Sequence, residues 1–425
     1  RRPPMIVAGV IAEYNPFHNG HKYQLEQIRK QTNADFIIVA MSGNFLQRGV
    51  PAIMDKYART RLALSQGADL VIELPTIWAT SSAEYFAGAG VRLLANTGVV
   101  DTLCFGAECA SLTTLKTIAG LISCESSDYQ KLLQESLKKG CSFPRARMQA
   151  LSTILKQTQT EPISDLDMLL SSPNNILAIE YLRALKALSP QTSIQPCLIQ
   201  RIGSGYHDDT LCAFASATAI RKQLLEKTQP ANTAAALQNV LPEDILIQLK
   251  EYANTYGFID DDSFSTMLGY QLYTCQQQNY ASFADCSVEL SNRIGHLLPE
   301  YKNFTDFCQL LKTKDLTYTR ISRALLHILL QITKEQYEVG KSLSLIPYLR
   351  ILGFRKDATL LLQKMKKQSS VPMITKVRKA KEQIEDNAMW MLEQDLFASN
   401  IYRQRIIANK KSVPKNDYSQ ELILI

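Results

Sequence analysis

Short apolar runs alternate with helix-like segments over positions 1–110, the first quarter of the chain. Four runs rich in Val, Ile and Leu end in polar or small residues, at positions 5–12, 35–41, 69–74 and 100–105. Apolar residues at helical spacing fill the intervals, over 23–31, 56–66 and 82–96. Apolar strands that alternate with helices are typical of a parallel sheet with crossover helices. The pattern predicts an α/β domain at the start of the chain, with its ligand site outside the carboxyl ends of the strands.

The strand signal fades along the rest of the chain. Residues 115–156 and 176–187 have a helical pattern, 193–202 is a further strand candidate, and another helix begins near residue 217. Beyond about residue 230, apolar residues recur at helical spacing over 241–252, 263–275, 287–298, 306–311, 319–333 and 345–352. We therefore predict two domains, an α/β domain over 5–228 and a mainly α-helical, basic domain over 229–425.

The excess positive charge is confined to the last part of the chain. The net charge is +7, and residues 350–425 hold 15 Lys and Arg against 8 Asp and Glu, so the remainder is balanced. Positive charge concentrated on one module favours a polyanionic partner, because each neutralised phosphate releases a counterion. A solvated basic helix face is the alternative.

The basic half of the chain also supplies candidate phosphate contacts. They are Arg320, Arg323, Lys364, Lys366, Lys367, Lys376, Arg378 and Lys379. Tyr318 and Tyr348 lie among them, and aromatic rings stack on unpaired bases. The sequence contains no recognition helix of a known DNA-binding motif, so a structured RNA is favoured as the partner over DNA.

Length and composition narrow the class of protein. At 425 residues with 46% apolar residues, the chain is long enough for two or three domains with buried cores. No apolar stretch approaches the roughly 20 residues that cross a bilayer, so we expect a cytoplasmic protein with no membrane partner. The nine cysteines include no C-x-x-C pair, which argues against a disulfide framework and against a zinc site.

The most informative motif is His18-Asn19-Gly20-His21, which follows the first apolar run. The pattern indicates a strand, a tight turn and the start of a helix. A helix N-terminus and two imidazoles supply donors to an α-phosphate that gains negative charge, and Gly20 lets a nucleotide approach the backbone. The motif therefore predicts nucleotidyl transfer. A chance pair of histidines, or a helix cap, is the alternative.

A second motif, Ser216-Ala217-Thr218-Ala219-Ile220-Arg221, predicts contacts to the leaving pyrophosphate. Two hydroxyls and the N–H groups of a helix start bind phosphate oxygens, and an arginine one turn later neutralises their charge. An ordinary N-cap followed by a surface arginine is the alternative. We expect the catalytic residues to be His18, His21, Ser216, Thr218 and Arg221.

Further candidates lie near the ends of the other predicted strands. Nucleotide contacts are expected from Gly106, Arg201 and the Asn174-Asn175 pair, each of which also has a structural interpretation. The loop 41–49 faces the same crevice, and Ser42 and Asn44 within it are expected to hold a small carboxylate.

Two residues carry weaker hypotheses. Cys104 is a candidate thiol nucleophile, but a buried strand thiol is the simpler interpretation. His207 is a candidate base near the phosphates, and an ordinary loop histidine is the alternative.

Four segments resemble the bacterial tRNA(Met) cytidine acetate ligase family, within the H-x-G-H nucleotidyltransferase superfamily. They are VIAEYNPFHNGH at 10–21, MSGNFLQRG at 41–49, DLVIELP at 69–75 and SATAIR at 216–221. The resemblance spans most of the chain and implies a Rossmann-like catalytic domain. It also implies that ATP activates acetate as acetyl-adenylate, and that acetyl is then transferred to the exocyclic amine of the wobble cytidine of elongator tRNA(Met). Mg²⁺ would be carried by the ATP phosphates, since the sequence shows no carboxylate cluster.

The resemblance also implies the ATP-binding residues. The nucleotide loop comprises Ile11, Ala12, Glu13, Tyr14, Asn15, Pro16, Phe17, His18, Asn19, Gly20, His21, Lys22, Tyr23 and Gln24. Gly106, Asn175 and Arg201 are the further contacts, with Asn174 as an alternative to Asn175. The segment 216–221 has Ser-Ala-Thr where related nucleotidyltransferases often have Ser-Ser-Thr, which removes one hydroxyl donor.

Two other functions stay open at this stage. A nucleotidyltransferase that acts on a small phosphate ester or a cofactor precursor would share the histidine motif, but it would not need a basic helical half. A nucleotide-sensing RNA-binding protein would use both features without releasing pyrophosphate.

Overall fold

One mixed sheet organises the protein. The computed structural model describes residues 5–124, 126–139, 141, 143–158, 166–189, 191–201, 216–226, 237–409 and 412–425. The strands within these ranges are β1 (Val7–Ala12), β2 (Phe36–Ser42), β3 (Leu70–Leu74), β4 (Thr102–Ala107), β5 (Gln195–Gln200), β6 (Leu349–Phe354), β7 (Met373–Ile374) and β8 (Ile423–Leu424). Their order is β5-β4-β1-β2-β3-β6-β7, and β8 also pairs with β6. The first five strands are parallel, whereas β6 is antiparallel to β3.

Helices cover the sheet and build the second half of the chain. In the first half they are α1 (Asn19–Thr32), α2 (Lys56–Ser65), α3 (Thr76–Ala79), α4 (Ala83–Asn96), α5 (Leu112–Cys124), α6 (Ser127–Lys138), α7 (Phe143–Thr158), α8 (Leu166–Ser171), α9 (Pro173–Leu188) and α10 (Ala217–Leu225). In the second half they are α11 (Glu243–Thr255), α12 (Ser265–Cys275), α13 (Val288–Leu297), α14 (Phe304–Leu311), α15 (Tyr318–Leu330), α16 (Lys334–Ser342), α17 (Thr359–Gln368) and α18 (Asp386–Asn409). Short 3₁₀ segments lie at Asp261–Phe264, Gln276–Gln278, Leu298–Glu300, Lys356–Ala358 and Val377–Glu382.

The sheet is buried on both faces. Alternate residues of β2 point to opposite sides, so that Ile37 and Val39 join one core with Leu25 of α1, whereas Ile38 joins the other core with Phe86 of α4. A strand covered on both faces has a nearly continuous apolar sequence, which explains the short apolar runs in the first quarter of the chain. The α/β fold with a parallel sheet, followed by a mainly helical part, is confirmed.

One predicted helix is wrong. The apolar spacing predicts a helix over 345–352, but β6 occupies Leu349–Phe354 and extends the sheet beyond β3. Its first five residues are buried, because β3 flanks it on one edge and β7 and β8 lie on the other. Apolar periodicity does not separate a short buried strand from a buried helix, and here strand pairing with a distant segment decides the structure.

Strands from the second half therefore complete a sheet that begins in the first half. β6, β7 and β8 belong to the same sheet as β1 to β5. The domain boundary between residues 228 and 229 stays a prediction. None of the helices in the described part of the chain has the length and apolar character of a membrane span.

A buried charged cluster fastens the C-terminal segment to this sheet. The Lys56 ammonium is fully buried and donates to both oxygens of Glu73, at 2.7 and 2.8 Å. It also donates to Asp417 at 2.8 Å and to the Ser399 hydroxyl at 2.9 Å. The cluster joins α2, β3, α18 and the end of the chain, so both halves contribute to one buried ion-pair network.

Candidate active site

The turn between β1 and α1 places both histidines of the H-x-G-H motif. His18 is the N-cap of α1, and its Nδ1 accepts a hydrogen bond from the Gly20 N–H at 3.0 Å. The His18 N–H in turn donates to Nδ1 of His21 at 3.3 Å. A capping residue must supply an acceptor for the free N–H groups of the first turn, and imidazole nitrogens do so here. Upstream, Tyr14 has a left-handed backbone with φ of 49°, and the Asn15–Pro16 peptide is cis.

Both imidazoles are neutral donors. Burial, followed by the positive charges of Arg201 and Arg221, lowers the pKa of His18 to about 3. Burial, followed by the neighbouring His18 and Arg201, also lowers the pKa of His21 well below its ordinary value. Because each Nδ1 accepts a backbone N–H, the hydrogen of each neutral ring is assigned to Nε2. The pair therefore offers two N–H donors to an anion.

Gly20 sets the position of the His18 ring. A Cβ added at residue 20 would lie 2.8 Å from Cε1 and 3.1 Å from Nδ1 of His18. A side chain at this position would displace the imidazole from its capping bond. The glycine therefore serves the histidine itself, in addition to the predicted approach of a nucleotide.

The second motif meets the first at the same edge of the sheet. Ser216 is the N-cap of α10, and its hydroxyl accepts from the Ala219 N–H at 3.2 Å. Arg221 donates through Nη1 to the Asn15 carbonyl at 2.9 Å and through Nη2 to the Thr218 hydroxyl at 3.2 Å. These bonds bring the guanidinium beside the turn that holds the two histidines.

A cavity of about 260 Å³ lies at this edge of the sheet. Of the predicted catalytic and ATP-binding residues, those that line it are Ile11, Ala12, Glu13, Tyr14, Asn15, His18, Gly20, His21, Tyr23, Gln24, Gly106, Arg201 and Arg221. Those that do not line it are Pro16, Phe17, Asn19, Lys22, Asn175, Ser216 and Thr218. Segments that are far apart in sequence, from β1 to α10, thus converge on one polar cavity.

The two asparagines at the start of α9 have different environments. Asn174 lines the cavity, and its Nδ2 donates to Glu108 at 2.6 Å. The Asn175 side chain is buried, where it accepts from the Cys109 N–H at 2.9 Å and donates to the Leu169 carbonyl at 3.1 Å. Asn174 is therefore the better placed of the two for a nucleotide contact.

The loop 41–49 reaches the cavity through residues other than the predicted ones. Ser42 is buried away from it, and the side-chain carbonyl oxygen of Asn44 accepts the Lys56 N–H at 2.7 Å. Gln47 and Arg48 from the same loop line the cavity instead. The motif MSGNFLQRG locates the loop, but the sequence does not indicate which of its side chains turn toward the site.

Apolar residues form another wall that sequence reasoning missed. Phe86 of α4, Phe105 of β4, and Leu177 and Tyr181 of α9 line the cavity. The Phe105 and Tyr181 rings pack with their centroids 5.6 Å apart. In the sequence these residues have the spacing of ordinary core positions, so no signal separates them from the rest of the core.

The weaker candidates gain no support from the structure. Cys104 is buried, and its hydrogen bond with Cys197, together with burial, raises its pKa, which is the reverse of thiolate activation. His207 lies outside the described residues. A second cavity of about 480 Å³ lies between α2, α11 and α18, and Asn44 is the predicted site residue that lines it.

The predicted phosphate contacts fall on different sides of the molecule. α15 packs against Gly49, directly after Arg48, and the Ser322 hydroxyl donates to the Gly49 carbonyl at 3.0 Å. Arg320 on this helix is exposed, whereas Arg323 donates to Asp285 at 2.9 Å.

The remaining predicted phosphate contacts lie farther from the cavity, on α17 and in the segment that follows β7. β6 runs antiparallel to β3, so its last residue lies at the N-terminal ends of the parallel strands. α17, which follows β6, therefore begins at the end of the sheet opposite the cavity. Its C-terminal end approaches the start of β4, where the Ser370 N–H donates to Asn96 at 3.0 Å. α17 carries Lys364, Lys366 and Lys367, and the segment Lys376–Lys379 exposes Lys376, Arg378 and Lys379.

Comparison with known proteins places this geometry in a family. The sequence model described as HIGH nucleotidyl transferase matches residues 5–419. The chain is 38% identical over 423 residues to a tRNA(Met) cytidine acetate ligase of Clostridium kluyveri, covering 99% of each chain. It is 40% identical over 400 residues to one from a Thermoanaerobacter species, covering 94% of this chain and 95% of that one.

Solved structures agree with the sequence comparison. The chain resembles apo Thermotoga maritima TmcAL with a TM-score of 0.91 at 30% identity, covering 99% of this chain and all of that one. It resembles the same protein bound with alpha-thio ATP with a TM-score of 0.89. The chain therefore belongs to the tRNA(Met) cytidine acetate ligase family of HIGH nucleotidyl transferases.

Proposed function

We propose that this protein is an ATP-dependent ligase that acetylates the exocyclic amine of the wobble cytidine of elongator tRNA(Met) in the cytoplasm. Acetate is first activated as acetyl-adenylate. The observation that carries the proposal is the convergence of two neutral imidazole donors and the guanidinium of Arg221 on one cavity. Full-length similarity to curated tRNA(Met) cytidine acetate ligases supports the substrate assignment.

In the first step, an acetate oxygen attacks the α-phosphorus of ATP and pyrophosphate leaves. The Nε2–H groups of His18 and His21 donate to the phosphate oxygens on which negative charge develops. Arg221 neutralises the leaving pyrophosphate. Donors fixed before the reaction stabilise the transition state without reorganisation, and holding both reactants in one cavity removes entropy from the barrier.

Acetate needs its own contacts in this cavity. We propose the loop 41–49 as the acetate-binding segment, with Gln47 and Arg48 as the contacts in place of Ser42 and Asn44. The position of both side chains on the cavity wall supports this assignment.

Mg²⁺ fits as an ion carried by the substrate. In the described part of the chain, no group of three or more His, Cys, Asp and Glu is arranged to hold a metal. Glu13 is the acidic residue among those lining the cavity, and one of its oxygens accepts the Gln47 N–H. Bound to the phosphates, Mg²⁺ would neutralise part of their charge while the side chains supply the remaining contacts.

For the tRNA, we propose that the exposed basic residues of the second half bind its backbone. Arg320 is exposed on the helix that packs against Gly49, next to Arg48, and would contact the anticodon region. The lysines of α17 lie at the opposite edge of the sheet and would contact a more distant part of the tRNA. Their exposure and net positive charge support these roles.

The test measures pyrophosphate release from ATP and acetate with and without elongator tRNA(Met), followed by nucleoside analysis of the tRNA. Acetate-dependent release and an acetylated wobble cytidine are expected. Pyrophosphate release with a small phosphate ester, without tRNA acetylation, would instead favour a nucleotidyltransferase with a small acceptor. Absence of release under every condition would leave only a nucleotide-binding site.

A further inference from the structure

Glu13 is the acidic residue among the described residues that line the cavity. It follows β1 directly, one turn before the two histidines. Its backbone carbonyl accepts from Nη1 of Arg59 at 2.6 Å, which fixes the chain at this position. The residue therefore presents a carboxylate to the site from a rigid strand end.

Within the described part of the chain, hydrogen bonds reach one of the two carboxylate oxygens. Oε1 accepts the Gln47 N–H at 2.9 Å, and no other hydrogen bond from a described residue reaches the carboxylate. The positive charges of Arg48, Arg221 and Arg59 lie within electrostatic range of the carboxylate. Burial raises the pKa of Glu13 above its ordinary value, which makes the carboxylate a stronger base than an exposed one.

The neighbouring polar groups are donors. His18 and His21 are neutral with their hydrogens on Nε2, and Arg201 and Arg221 have no acceptor atoms. Burial raises the pKa of the Tyr14 and Tyr181 hydroxyls, so neither is a phenolate at neutral pH. Among the described residues that line the cavity, Glu13 supplies the carboxylate that accepts a proton released there; the Asp261 carboxyl, within electrostatic range of Arg221 and Arg48, is not one of these lining groups.

We propose that Glu13 is the general base of the acetyl-transfer step, an inference that rests on the proposed function. The exocyclic nitrogen of the cytidine attacks the carbonyl carbon of acetyl-adenylate. A C–N bond forms, the bond between that carbon and the phosphate oxygen breaks, and AMP leaves with the electron pair. The nitrogen gives up one proton to Oε2 of Glu13, which later returns it to solvent.

The division into two half-reactions makes the role testable. Adenylate formation releases no proton from an amine, so it does not need the base. Acetyl transfer does need it. Loss of Glu13 therefore has different consequences for the two steps, whereas a purely structural role would affect both.

Glu13→Gln is the informative variant, because its amide oxygen still accepts the Gln47 N–H but does not act as a base. Because Glu13 also lines the ATP cavity, acetate-dependent exchange of pyrophosphate into ATP should fall as well, but at least about tenfold less than acetyl transfer does. Acetyl hydroxamate should also still form when hydroxylamine traps the adenylate. Single-turnover acetylation of tRNA should fall about 10²-fold or more, the range of general-base catalysis.

Asp101→Asn is the matched control. Its carboxylate accepts the Val7 N–H at 2.8 Å at the other end of β1 and lies outside the cavity. Both half-reactions should be unchanged in this variant. Equal loss of both half-reactions in Glu13→Gln, or wild-type acetylation, would overturn the proposal for Glu13.

A pH profile provides a second readout that does not depend on the stability of the variant. The wild-type acetyl-transfer rate should fall on the acid side with an apparent pKa above 4.5, and this limb should be absent in Glu13→Gln. A wild-type profile without an acid limb would also overturn the role of Glu13. Failure of the wild-type enzyme to acetylate tRNA would instead refute the proposed function.

Discussion

The imidazoles of His18 and His21 stack with centroids 3.8 Å apart and an interplanar angle of 27°. Each ring accepts a backbone N–H through Nδ1, so the stack is locked to the first turn of α1. Two like-charged rings at this separation would repel, and burial keeps both neutral. The two rings that cap the helix through Nδ1 therefore also offer two hydrogen-bond donors, one at each Nε2.

Removing either donor should slow adenylate formation. His18→Ala and His21→Ala should each lower acetate-dependent pyrophosphate exchange about 10²-fold or more, the scale of a single transition-state donor. His296→Ala changes an exposed histidine on α13 and should have no effect. Normal exchange in both site variants would remove the histidines from the mechanism.

The same pair should make stability depend on pH. The folded pKa of His18 is about 3 and the unfolded value is near 6.5, so between these values the unfolded chain binds a proton that the folded protein excludes. Above pH 6.5 His18 is neutral in both states and does not change the free energy of unfolding. As the pH falls from 6.5 toward 3, protonation of the unfolded chain lowers the free energy of unfolding progressively. Between pH 7 and pH 5, the free energy of unfolding should fall by up to about 2 kcal/mol for this residue.

Urea denaturation at the two pH values measures this effect. His18→Gln, which does not titrate, should show a smaller fall in the free energy of unfolding between pH 7 and pH 5. The same slope in wild type and variant would contradict a neutral, buried His18.

Gly20→Ala should impair catalysis without unfolding the protein. The new methyl group would press on the His18 ring at 2.8 Å and rotate its donor away from the cavity. We expect pyrophosphate exchange to fall about tenfold or more, which corresponds to about 1.4 kcal/mol of transition-state stabilisation. Gly120→Ala in α5 meets no atom within 4 Å and is the matched control, with unchanged activity.

Lys56→Met should strongly destabilise the fold. The variant removes the cation bound to Glu73 and leaves Asp417 with Arg350 at 3.8 Å; breaking a buried ion pair in this way typically costs about 3–5 kcal/mol. Lys341→Ala removes an exposed ion pair with Glu338 and should cost less than about 1 kcal/mol. Chemical denaturation compares the two; similar small losses would show that the buried network contributes little.

The two asparagines of α9 should separate binding from stability. Asn174→Ala should raise the KM for ATP and leave the free energy of unfolding unchanged, because this side chain lines the cavity. Asn175→Ala should lower the free energy of unfolding by about 1–3 kcal/mol, because it removes the hydrogen-bond partner of the Cys109 N–H and of the Leu169 carbonyl. The opposite pattern would assign the nucleotide contact to Asn175.

Local sequence patterns are sufficient to predict strands that consist of continuous apolar residues. The strands β1 to β4 were predictable because both faces of each are covered, which demands continuous apolar residues. The strand β6 was not predictable, because Arg350 interrupts its apolar run. The Arg350 side chain donates to the Tyr57 hydroxyl and forms an ion pair with Asp417. A polar residue in a buried strand is tolerated only where distant partners satisfy it.

At the site, local sequence patterns are sufficient to locate the segments, whereas three-dimensional packing selects the side chains that face the cavity. H-x-G-H and Ser216–Arg221 are recognisable because a helix start that binds phosphate needs particular residues at fixed local spacing. The choice of Asn174 over Asn175, of Arg48 over Ser42, and of Glu13 as the carboxylate in the cavity depends on where each side chain points. That direction is set by packing against elements from distant parts of the chain, which a local pattern does not encode.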